Sequence, residues 1–279
     1  MIIVRLAGGL GNQMFQYACG KALAHRHASA LALDHSFLED RRPREDFTHR
    51  SYALGIFGID FRVSLRELAV LLTSHKVIDE KNFPPDAATL SMGGKLYLCG
   101  YFQDERYFES IADTMRKDFN FPAAISAGNA GFFAAVQKAE APVSIHVRRG
   151  DYLTAGNGKM YVLCQEEYYR RAVELIKAHV PRPSFFVFSA DDPEWARAMF
   201  TRLDADCVLV ENVAPEQYAY EDMRMMSICK HNIIANSSFS WWGAWLNPNP
   251  HKIVIAPEHW YAAKEYQHIN PCPPVWRRL

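Results

Sequence analysis

The sequence predicts an α/β protein with two halves that face each other across a cleft. Short apolar segments that indicate buried strands alternate with longer segments of helical periodicity, most clearly after residue 140. At the N-terminus a strand, a glycine turn, a helix and a second strand follow in that order, as in nucleotide-binding α/β folds. Alternating strands and helices of this kind form mostly parallel sheets.

Length and composition are those of a globular protein with room for two domains. The chain has 279 residues, of which 49% are hydrophobic and 22% charged. Small residues and glycine interrupt the pattern between residues 123 and 131, so we expect the boundary near that segment. The prediction is an N-terminal α/β domain over residues 1–135 and a second domain over residues 136–279.

The elements of the first half are predicted from its apolar runs. Residues 1–6 indicate a buried strand, and a helical pattern runs from 12 to 27. Further strands are predicted over 30–33 and 95–100. The remainder of this half is less regular.

The second half repeats the α/β rhythm more clearly. Strands are predicted over 143–148, 184–189, 207–211, 231–235 and 252–256. Helices are predicted over 165–179, 193–202 and 216–229, with a further short helix after Phe239. The last stretch contains Pro271, Pro273 and Pro274, which favour an extended tail.

Charge, cysteine spacing and hydropathy argue against several classes of protein. Lys and Arg together number 31, as do Asp and Glu, so net charge gives no indication of nucleic acid or an anionic membrane. The six cysteines lack zinc and redox spacings, and we expect buried reduced thiols. Arg5 interrupts the first apolar run, which indicates a strand rather than a signal peptide. No run of about 18 apolar residues is present, so we expect a cytoplasmic protein without a membrane span.

The first candidate site is the segment Gly8-Gly-Leu-Gly-Asn-Gln-Met-Phe-Gln-Tyr17. Glycines directly after a strand let a ligand approach the backbone, and the N-terminus of the following helix attracts anions. Asn12 and Gln13 supply amide groups suited to sugar hydroxyls. The alternative is a tight turn without a ligand, because the pattern matches neither the dinucleotide fingerprint nor the P-loop.

The second candidate is Ser144-Ile-His-Val-Arg-Arg-Gly-Asp-Tyr152, which leaves an apolar strand and ends at a glycine turn. Ligands of open α/β sheets bind at the carboxyl ends of strands. An arginine there can bind a diphosphate through two parallel hydrogen bonds. Asp151 either orients an arginine or accepts a proton, and a surface ion pair is the alternative interpretation.

A third candidate is Phe188-Ser-Ala-Asp-Asp192, at the end of another predicted strand. Asp192 followed by Pro193 is typical of a helix N-cap and first turn. A ligand role for Asp191 or Asp192 is therefore the alternative to a capping role.

The fourth candidate is Ala235-Asn-Ser-Ser-Phe-Ser-Trp-Trp-Gly-Ala-Trp245. Hydroxyl side chains at a helix start favour anion binding, although Ser238 and Ser240 could serve only as caps. The three tryptophans favour core or cleft wall over a sugar platform. Asn236 opens a glycosylation sequon, which we discount because the sequence carries no secretion signal.

Together these segments resemble the α-1,2-fucosyltransferases, especially the bacterial members of glycosyltransferase family 11. The matching segments are 8–18, 146–152 and 236–242, which occur in the family's order and reach across nearly the whole chain. The form His-x-Arg-Arg-x-Asp is shared more widely, with α-1,6- and protein O-fucosyltransferases. The first and last segments are more specific to the α-1,2 group.

The resemblance implies a GT-B-like fold of two Rossmann-like domains, with the donor GDP-fucose bound mainly by the second domain and the acceptor side on the first. It implies that Arg148 is the main diphosphate contact, and Asp151 is the second predicted catalytic residue. His146 and Asp222 would contact the guanine end, and Asn12 would reach the donor from the first domain. The substrate-binding residues that we predict, from the patterns and the resemblance together, are Asn12, His146, Arg149, Asp191, Asp222, Ser237, Ser238 and Phe239.

No metal or other cofactor is implied by the resemblance. Asp204 and Asp206 have the Asp-x-Asp form of metal-dependent glycosyltransferases, but they precede an apolar strand instead of following one. We interpret them as a solvated loop.

The activity that the resemblance implies is transfer of L-fucose from GDP-β-L-fucose to the 2-hydroxyl of a galactosyl acceptor, with inversion, to give an α-1,2-fucoside. The expected acceptor is a galactose-containing oligosaccharide or a lipid-linked glycan, and the latter would bring peripheral contact with the bacterial inner membrane. Two alternatives remain open. One is another fucosyl linkage or another nucleotide-sugar transferase on the same fold, and the other is a non-catalytic carbohydrate- or nucleotide-binding protein.

Overall fold

The computed structural model describes residues 1–42, 48–63, 73–153, 160–203, 207–211, 219–266 and 269–279. The chain divides into two compact units, Met1–Pro122 and Ala123–Leu279. Each unit contains a sheet of parallel strands together with helices, so the predicted α/β class is confirmed.

The sheet of the first unit has four strands in the order β2-β1-β4-β3. These strands are β1 (Ile2–Arg5), β2 (Leu31–Asp34), β3 (Lys76–Asp79) and β4 (Leu96–Cys99). The helices are α1 (Leu10–Arg26), α2 (Ser36–Glu39), α3 (Ala87–Leu90) and α4 (Ala112–Asp118), with 3-10 helices over Leu54–Phe57, Glu80–Asn82, Glu105–Tyr107 and Glu109–Ile111. Strands β1, β2 and β4 and helix α1 confirm the predicted elements of this half.

Strand β3 is an element that the sequence does not predict. It lies at the edge of the sheet beside β4. Of its four residues only Ile78 is buried. An edge strand with one buried side chain leaves no apolar run, so its pairing becomes visible only in the tertiary structure.

The sheet of the second unit has six strands in the order β10-β9-β8-β5-β6-β7. These strands are β5 (Pro142–His146), β6 (Ser184–Phe188), β7 (Cys207–Val210), β8 (His231–Ile233), β9 (Val254–Ala256) and β10 (Arg277–Arg278). The helices are α5 (Ala130–Lys138), α6 (Glu166–His179), α7 (Pro193–Arg202), α8 (Tyr220–Ile228) and α9 (Ser238–Leu246), with 3-10 helices over Gly150–Leu153 and Lys264–Tyr266. The five predicted strands and the predicted helices of this half are present, and α9 begins one residue before Phe239.

The C-terminal segment differs from the extended tail that its prolines predict. Arg277 and Arg278 form β10, which pairs in parallel with β9. Trp276 is buried, and its ring centroid lies 5.5 Å from that of Trp241. Packing against a distant helix therefore brings this polar pair of residues to the sheet edge.

Helices cover both faces of the second sheet. In β6, Phe185 and Val187 pack into a core with α6 and α7, whereas Phe186 and Phe188 pack into a core with α5 and α8. Side chains of a strand alternate between faces, so a strand covered on both faces is apolar throughout. This is why the sequence predicts β6 so clearly.

Helix α5 explains where the two units divide. The boundary predicted from sequence, between residues 135 and 136, lies inside this helix. Val136 is only 1% exposed and packs with side chains of β6 and α8 in the second unit. The whole helix therefore belongs to the second unit, and the division follows Pro122.

Each sheet has one point where the strand order reverses. In the second unit β6 and β7 lie on one side of β5, and β8, β9 and β10 lie on the other. In the first unit β2 lies on one side of β1, and β4 lies on the other. Ligands of open α/β sheets bind outside the carboxyl ends of the strands at such a reversal.

The fold bears on the predicted absence of a membrane span and on the predicted state of the cysteines. No helix in the described ranges is both long and apolar enough to cross a membrane. All six cysteines are free thiols, as predicted, although Cys99 and Cys207 are only half-buried. Burial raises the pKa of the Cys164 thiol to about 12, which keeps it protonated.

Candidate functional site

The strand-order reversal of the second sheet brings together three of the segments singled out by sequence. Residues 147–149 follow β5, residues 189–192 follow β6, and residues 234–237 connect β8 to α9. Strand β5 pairs with both β6 and β8, so all three segments leave the sheet at the same edge. The edge is called the carboxyl edge below.

Arg148 lies at the carboxyl edge and is held by an aspartate from the neighbouring strand. Its Nη1 lies 2.9 Å from Oδ2 of Asp191, and its guanidinium lies 5.8 Å from the ring centroid of Tyr152. A quarter of the side chain is exposed. The guanidinium is therefore positioned by the protein and is still reachable by an anion.

Arg149 points elsewhere and is packed more tightly. Its Nε donates to Oδ2 of Asp192 at 2.9 Å, and its guanidinium lies 3.9 Å from the centroid of the Trp195 ring. Only 11% of its side chain is exposed. The Nε atom and the face of the guanidinium are thus engaged within the protein, and a direct contact between Arg149 and substrate stays a prediction.

Asp191 and Asp192 have separate roles in this arrangement. Asp192 caps α7, since its Oδ1 accepts from the Trp195 amide at 3.2 Å, so the N-cap interpretation of this residue is confirmed. Asp191 instead pairs with Arg148, and its carboxylate accepts from the Arg149 amide at 3.4 Å. A Cβ added at Gly150 would lie 2.8 Å from that of Asp191, so this close approach requires glycine.

His146 is a buried neutral imidazole at the end of β5. Burial, with a further contribution from the Arg148 charge, lowers its pKa to about 3. Its ring lies 5.9 Å from that of Phe239, at the start of α9. At neutral pH this histidine can donate or accept a hydrogen bond, but it cannot act as a cation.

The carboxyl edge contains several buried polar atoms without a hydrogen-bond partner. Within the described residues these include Nδ1 of His146, Nη1 of Arg149 and Oγ of Ser189. Buried polar groups without partners are rare in folded proteins. Three such atoms therefore lie beside the strand-order reversal at which ligands of open α/β sheets bind.

Ser237 caps the helix that follows β8. Its Oγ accepts from the Phe239 amide at 3.3 Å, so the cap is Ser237, not Ser238 or Ser240. The Ser240 hydroxyl is fully buried and lies 3.3 Å from the Ser237 carbonyl oxygen. The first turn of α9 therefore presents Ser238 and a helix N-terminus at the carboxyl edge, an arrangement that favours an anion.

The tryptophans of α9 belong to the core, as the sequence favours. Trp241 and Trp242 have no exposed surface, and Trp245 is 5% exposed. The indole Nε1 of Trp241 donates to the Pro271 carbonyl at 3.0 Å. No stacking surface for a sugar is formed by these three rings.

Asn236 and Tyr152 are structural contributors to the site that sequence reasoning misses. The amide Nδ2 of Asn236 donates to the carbonyls of Val162 at 2.7 Å and Trp260 at 2.9 Å, and the side chain is buried. The Tyr152 hydroxyl donates to the Asn236 carbonyl at 2.9 Å. The apparent sequon is therefore an internal brace that fixes the loop carrying the serines.

Asp222 lies in the first turn of α8, the helix that precedes β8, where the sequence expects it. It is 6% exposed. The adjacent Glu221 is almost completely buried and accepts from the Ser126 amide and from Nδ2 of Asn129, both at 2.7 Å. Glu221 thereby ties the start of α8 to the segment after Pro122, a role for which its sequence has no signal.

The glycine turn of the first unit is built differently. Gly8 has a φ of +74°, and a Cβ there would lie 2.4 Å from Nδ2 of Asn12. The Asn12 Oδ1 accepts from Nε2 of Gln103 at 2.8 Å. Asn12 is therefore held beside the turn by a residue that follows β4.

The interpretation of Gln13 as a sugar contact is corrected by the structure. Gln13 has no exposed surface. Its Nε2 donates to the carbonyls of Gly8 at 2.8 Å and Ser51 at 2.9 Å, and its Oε1 accepts from the Ala53 amide at 2.8 Å. All its hydrogen-bonding groups are used within the fold, so it staples the turn to residues 51–53.

Three aspartates that the sequence singles out lie wholly or partly outside the described residues. Asp151 belongs to the 3-10 helix Gly150–Leu153, but its side chain is outside the described part of the chain. Asp204 and Asp206 lie outside the described residues altogether. Elsewhere in the described ranges, no three His, Cys, Asp or Glu side chains converge as metal ligands would.

Known proteins resemble this chain over its full length. The family model "Glycosyl transferase family 11" matches residues 1–276. An "Alpha-1,2-colitosyltransferase" of Escherichia coli is 35% identical, covering 100% of this chain and 99% of its own length. "O-antigen biosynthesis glycosyltransferase WbnK" of Escherichia coli is 32% identical, covering 92% and 94%. "Galactoside 2-alpha-L-fucosyltransferase Sec1" of Mus musculus is 24% identical, covering 88% of this chain and 64% of that protein.

Solved structures support the fold class. The NodZ α-1,6-fucosyltransferase soaked with GDP-fucose has a TM-score of 0.53 at 16% identity, covering 88% of this chain and 92% of NodZ. A mutant of Arabidopsis thaliana FUT1 in complex with GDP has a TM-score of 0.52 at 13% identity, covering 92% of this chain and 70% of that one. The two parallel Rossmann-like sheets and these neighbours confirm the predicted GT-B-like α/β fold.

Proposed function

The chain belongs to glycosyl transferase family 11, and from that membership we propose that it transfers L-fucose from GDP-β-L-fucose to the 2-hydroxyl of a galactosyl acceptor, with inversion. The observation that carries the proposal is Arg148, which is held by Asp191 at the carboxyl edge and follows β5, the strand next to the one that leads into α9. A guanidinium and a helix N-terminus at one strand-order reversal form a site for a diphosphate.

The leaving group sets the electrostatic requirement of the reaction. Glycosyl transfer proceeds through a transition state that resembles an oxocarbenium ion, while negative charge develops on the departing GDP. We propose that Arg148 and the first turn of α9, at Ser238 and Phe239, stabilise that charge. Asp191 is a positioning residue, because it holds the guanidinium before the donor binds.

The acceptor hydroxyl needs a base, and Asp151 is the residue that we propose for it. The sequence leaves two roles open for Asp151, to brace Arg148 or to accept the proton. Asp191 already braces Arg148, which favours the second role. His146 is unsuited to supply positive charge, since its pKa is about 3, and it would instead offer a neutral hydrogen bond to the guanine end with Asp222.

A related 3-deoxy sugar is the second candidate for the group transferred. The 35% identical relative is named an α-1,2-colitosyltransferase, and colitose is fucose without its 3-hydroxyl. A site that hydrogen-bonds a hydroxyl discriminates strongly against the sugar that lacks it, whereas a site without such a contact does not. Turnover with both donors therefore separates these two candidates.

Catalysis without a metal is also part of the proposal. The guanidinium of Arg148 can offset the phosphate charge that a divalent cation offsets in other transferases. We expect activity to survive excess EDTA. Loss of most activity on chelation, with recovery on addition of Mg²⁺ or Mn²⁺, would contradict this expectation.

The decisive experiment is a donor and acceptor matrix. The protein is incubated with GDP-fucose, GDP-colitose or UDP-galactose and with galactose-terminated disaccharides, and the product linkage is read by NMR. We expect an α-1,2-linked fucoside of galactose. A different linkage, or turnover only with the UDP-sugar, would refute the proposed function, and binding of GDP without any transfer or donor hydrolysis would indicate a non-catalytic protein.

The biological acceptor that we propose is a surface-polysaccharide precursor. The support is the name of the second relative, an O-antigen biosynthesis glycosyltransferase. A lipid-linked precursor would require peripheral membrane contact in a bacterial cytoplasm. Comparison of lipid-linked and free acceptors of the same glycan measures that requirement directly.

A further inference from the structure

The first unit contains a cavity that the proposed donor site does not use. Its volume is about 530 Å³, within the range of about 300–1,000 Å³ that small-molecule sites occupy. It lies where β2 ends, between His35 and the segment Ile59–Val63, which is bound to β2 through the Leu33 amide and the Phe61 carbonyl at 2.7 Å. The rest of the wall is formed by Leu38, Glu39, Arg41, Ser51, Tyr52, Gly55 and Gly58.

A buried histidine on the cavity wall has an unused hydrogen-bonding atom. His35 is 6% exposed, and its Nε2 has no partner within the described residues. The ring stacks on Tyr52 with centroids 4.3 Å apart. Burial, with the nearby Arg62 charge, lowers the pKa of His35, so the imidazole is neutral at physiological pH.

The charges around the cavity balance. Arg62 pairs with Glu39, and Arg41 donates from Nη2 to the Ser51 hydroxyl at 3.2 Å. Asp60 is exposed on the wall and makes no ion pair or hydrogen bond within the described part of the chain. Two guanidiniums and two carboxylates give no net attraction for an anion, whereas an exposed carboxylate and a neutral imidazole suit hydroxyl groups.

The side chain of Gln13 connects the cavity wall to the glycine turn through hydrogen bonds. Gln13 donates to the Gly8 carbonyl in the turn and to the Ser51 carbonyl, and it accepts from the Ala53 amide. Ser51 and Ala53 flank Tyr52, which lines the cavity. Small residues create the space: a Cβ at Gly58, where φ is +70°, would meet no atom within 4 Å. The cavity wall is therefore connected by hydrogen bonds to the turn that carries Asn12.

We propose that this cavity binds a neutral sugar residue of the acceptor glycan, with His35 and Asp60 as the residues that select its hydroxyls. Only the identification of this sugar as part of the acceptor rests on the proposed function. The binding itself needs only a neutral polyol of one or two sugar residues, which hydrogen-bonds to the imidazole and to the Asp60 carboxylate.

The test uses two substitutions with matched controls. His35→Phe keeps a ring to stack on Tyr52 and removes both ring nitrogens, of which Nε2 has no hydrogen bond to lose within the described residues. Asp60→Asn changes an exposed residue without changing its size. His27→Phe is the control, because Nε2 of His27 is also buried and unpartnered in the first unit but does not line the cavity.

We expect His35→Phe to raise the KM for a galactose-terminated acceptor such as lactose about tenfold, as loss of one hydrogen bond would. Asp60→Asn should raise it several-fold, and the KM for GDP-fucose should not move in either variant. His27→Phe should change neither constant. Acceptor KM within twofold of the unsubstituted protein in both cavity variants, or an equal rise in donor KM, would overturn the proposal.

Direct binding separates this proposal from the proposed function. Saturation-transfer NMR of lactose and of methyl β-galactoside with the GDP-loaded protein requires no turnover. We expect saturation transfer that is weakened in His35→Phe and Asp60→Asn and retained in His27→Phe. Undiminished transfer in both cavity variants, or tighter binding of glucuronic acid than of the neutral sugars, would refute the assignment even where fucose transfer itself is confirmed.

Discussion

The glycine turn of the first unit and the carboxyl edge of the second carry similar polar residues but use them in opposite ways. At the turn, Gln13 and Gln16 are completely buried, and each bonds backbone groups on two separate segments. At the carboxyl edge, polar atoms of His146 and Ser189 are buried without a partner. Satisfied groups hold a fold together, whereas unsatisfied groups are available to a ligand, and residue type alone does not distinguish the two.

The largest expected effect is the loss of turnover on substitution of Arg148, at the carboxyl edge. Arg148→Lys should lower turnover on the order of 10²–10³-fold, nearly as much as Arg148→Ala, because lysine keeps the charge but loses the planar fork that holds two phosphate oxygens. Turnover is measured at saturating GDP-fucose, with circular dichroism to confirm folding.

Arg149→Lys is the matched variant for that measurement. Its guanidinium contacts Asp192 and the Trp195 ring, so this substitution should cost roughly 1–2 kcal/mol of stability and much less turnover. Near-normal turnover in Arg148→Lys, or a greater loss of turnover in Arg149→Lys, would reassign the leaving-group contact.

The second effect tests whether Gln13 stabilises the first unit by joining the glycine turn to residues 51–53. Gln13→Ala removes three part-buried hydrogen bonds to backbone groups and should lower the free energy of unfolding of the first unit by about 3 kcal/mol. All six tryptophans lie in the second unit, so their fluorescence does not report this change. Hydrogen exchange of the α1 amides measures it instead.

Asn12→Ala is the counterpart of the Gln13 substitution. It removes the part-buried hydrogen bond that Gln103 donates to Asn12, and should lower the free energy of unfolding by about 1 kcal/mol while reducing fucose transfer. A destabilised Asn12→Ala with normal transfer, paired with a stable Gln13→Ala that transfers poorly, would reverse the roles assigned to these neighbours.

The third effect compares two adjacent carboxylates on α8. Asp222→Ala should weaken GDP binding by roughly 1–3 kcal/mol, the range for a lost hydrogen bond to a charged group. Glu221→Gln should instead lower stability, since the Glu221 carboxylate accepts from Ser126 and Asn129. Calorimetry with GDP and denaturant unfolding distinguish the two, and unchanged GDP affinity in folded Asp222→Ala would remove that residue from the site.

The smallest effect concerns the pH dependence of stability. The pKa of His146 is about 3 in the folded protein, below its unfolded value of about 6.5, so below that value the unfolded state binds the proton first. Stability should fall by roughly 1 kcal/mol between pH 7 and pH 6 and further at lower pH. His35 and His231 shift in the same direction, so His146→Asn is needed as the reference. An identical pH profile in that variant would contradict the assignment.

Much of the fold is predictable from sequence because most of its strands are buried on both faces. Strands such as β5 and β6 form continuous apolar runs, α6 has clear helical periodicity, and α7 begins at a capping aspartate. The elements that escape prediction include β3 and β10, at sheet edges, the short helices α2, α3 and α4 of the first unit, and α5, which lies in the segment interpreted as a domain boundary. Their positions depend on packing partners distant in sequence.

By itself the sequence determined the α/β class, the order of the motifs and the residues that follow each strand, because these depend on neighbours along the chain. The tertiary structure decided which of those residues meet. Asp191 reaches Arg148 because β6 pairs with β5. The side chain of Gln13 is used in hydrogen bonds within the fold because residues 51–53 lie against α1. Strand order and loop return are set by the packing of whole sheets and helices, which no local spacing encodes.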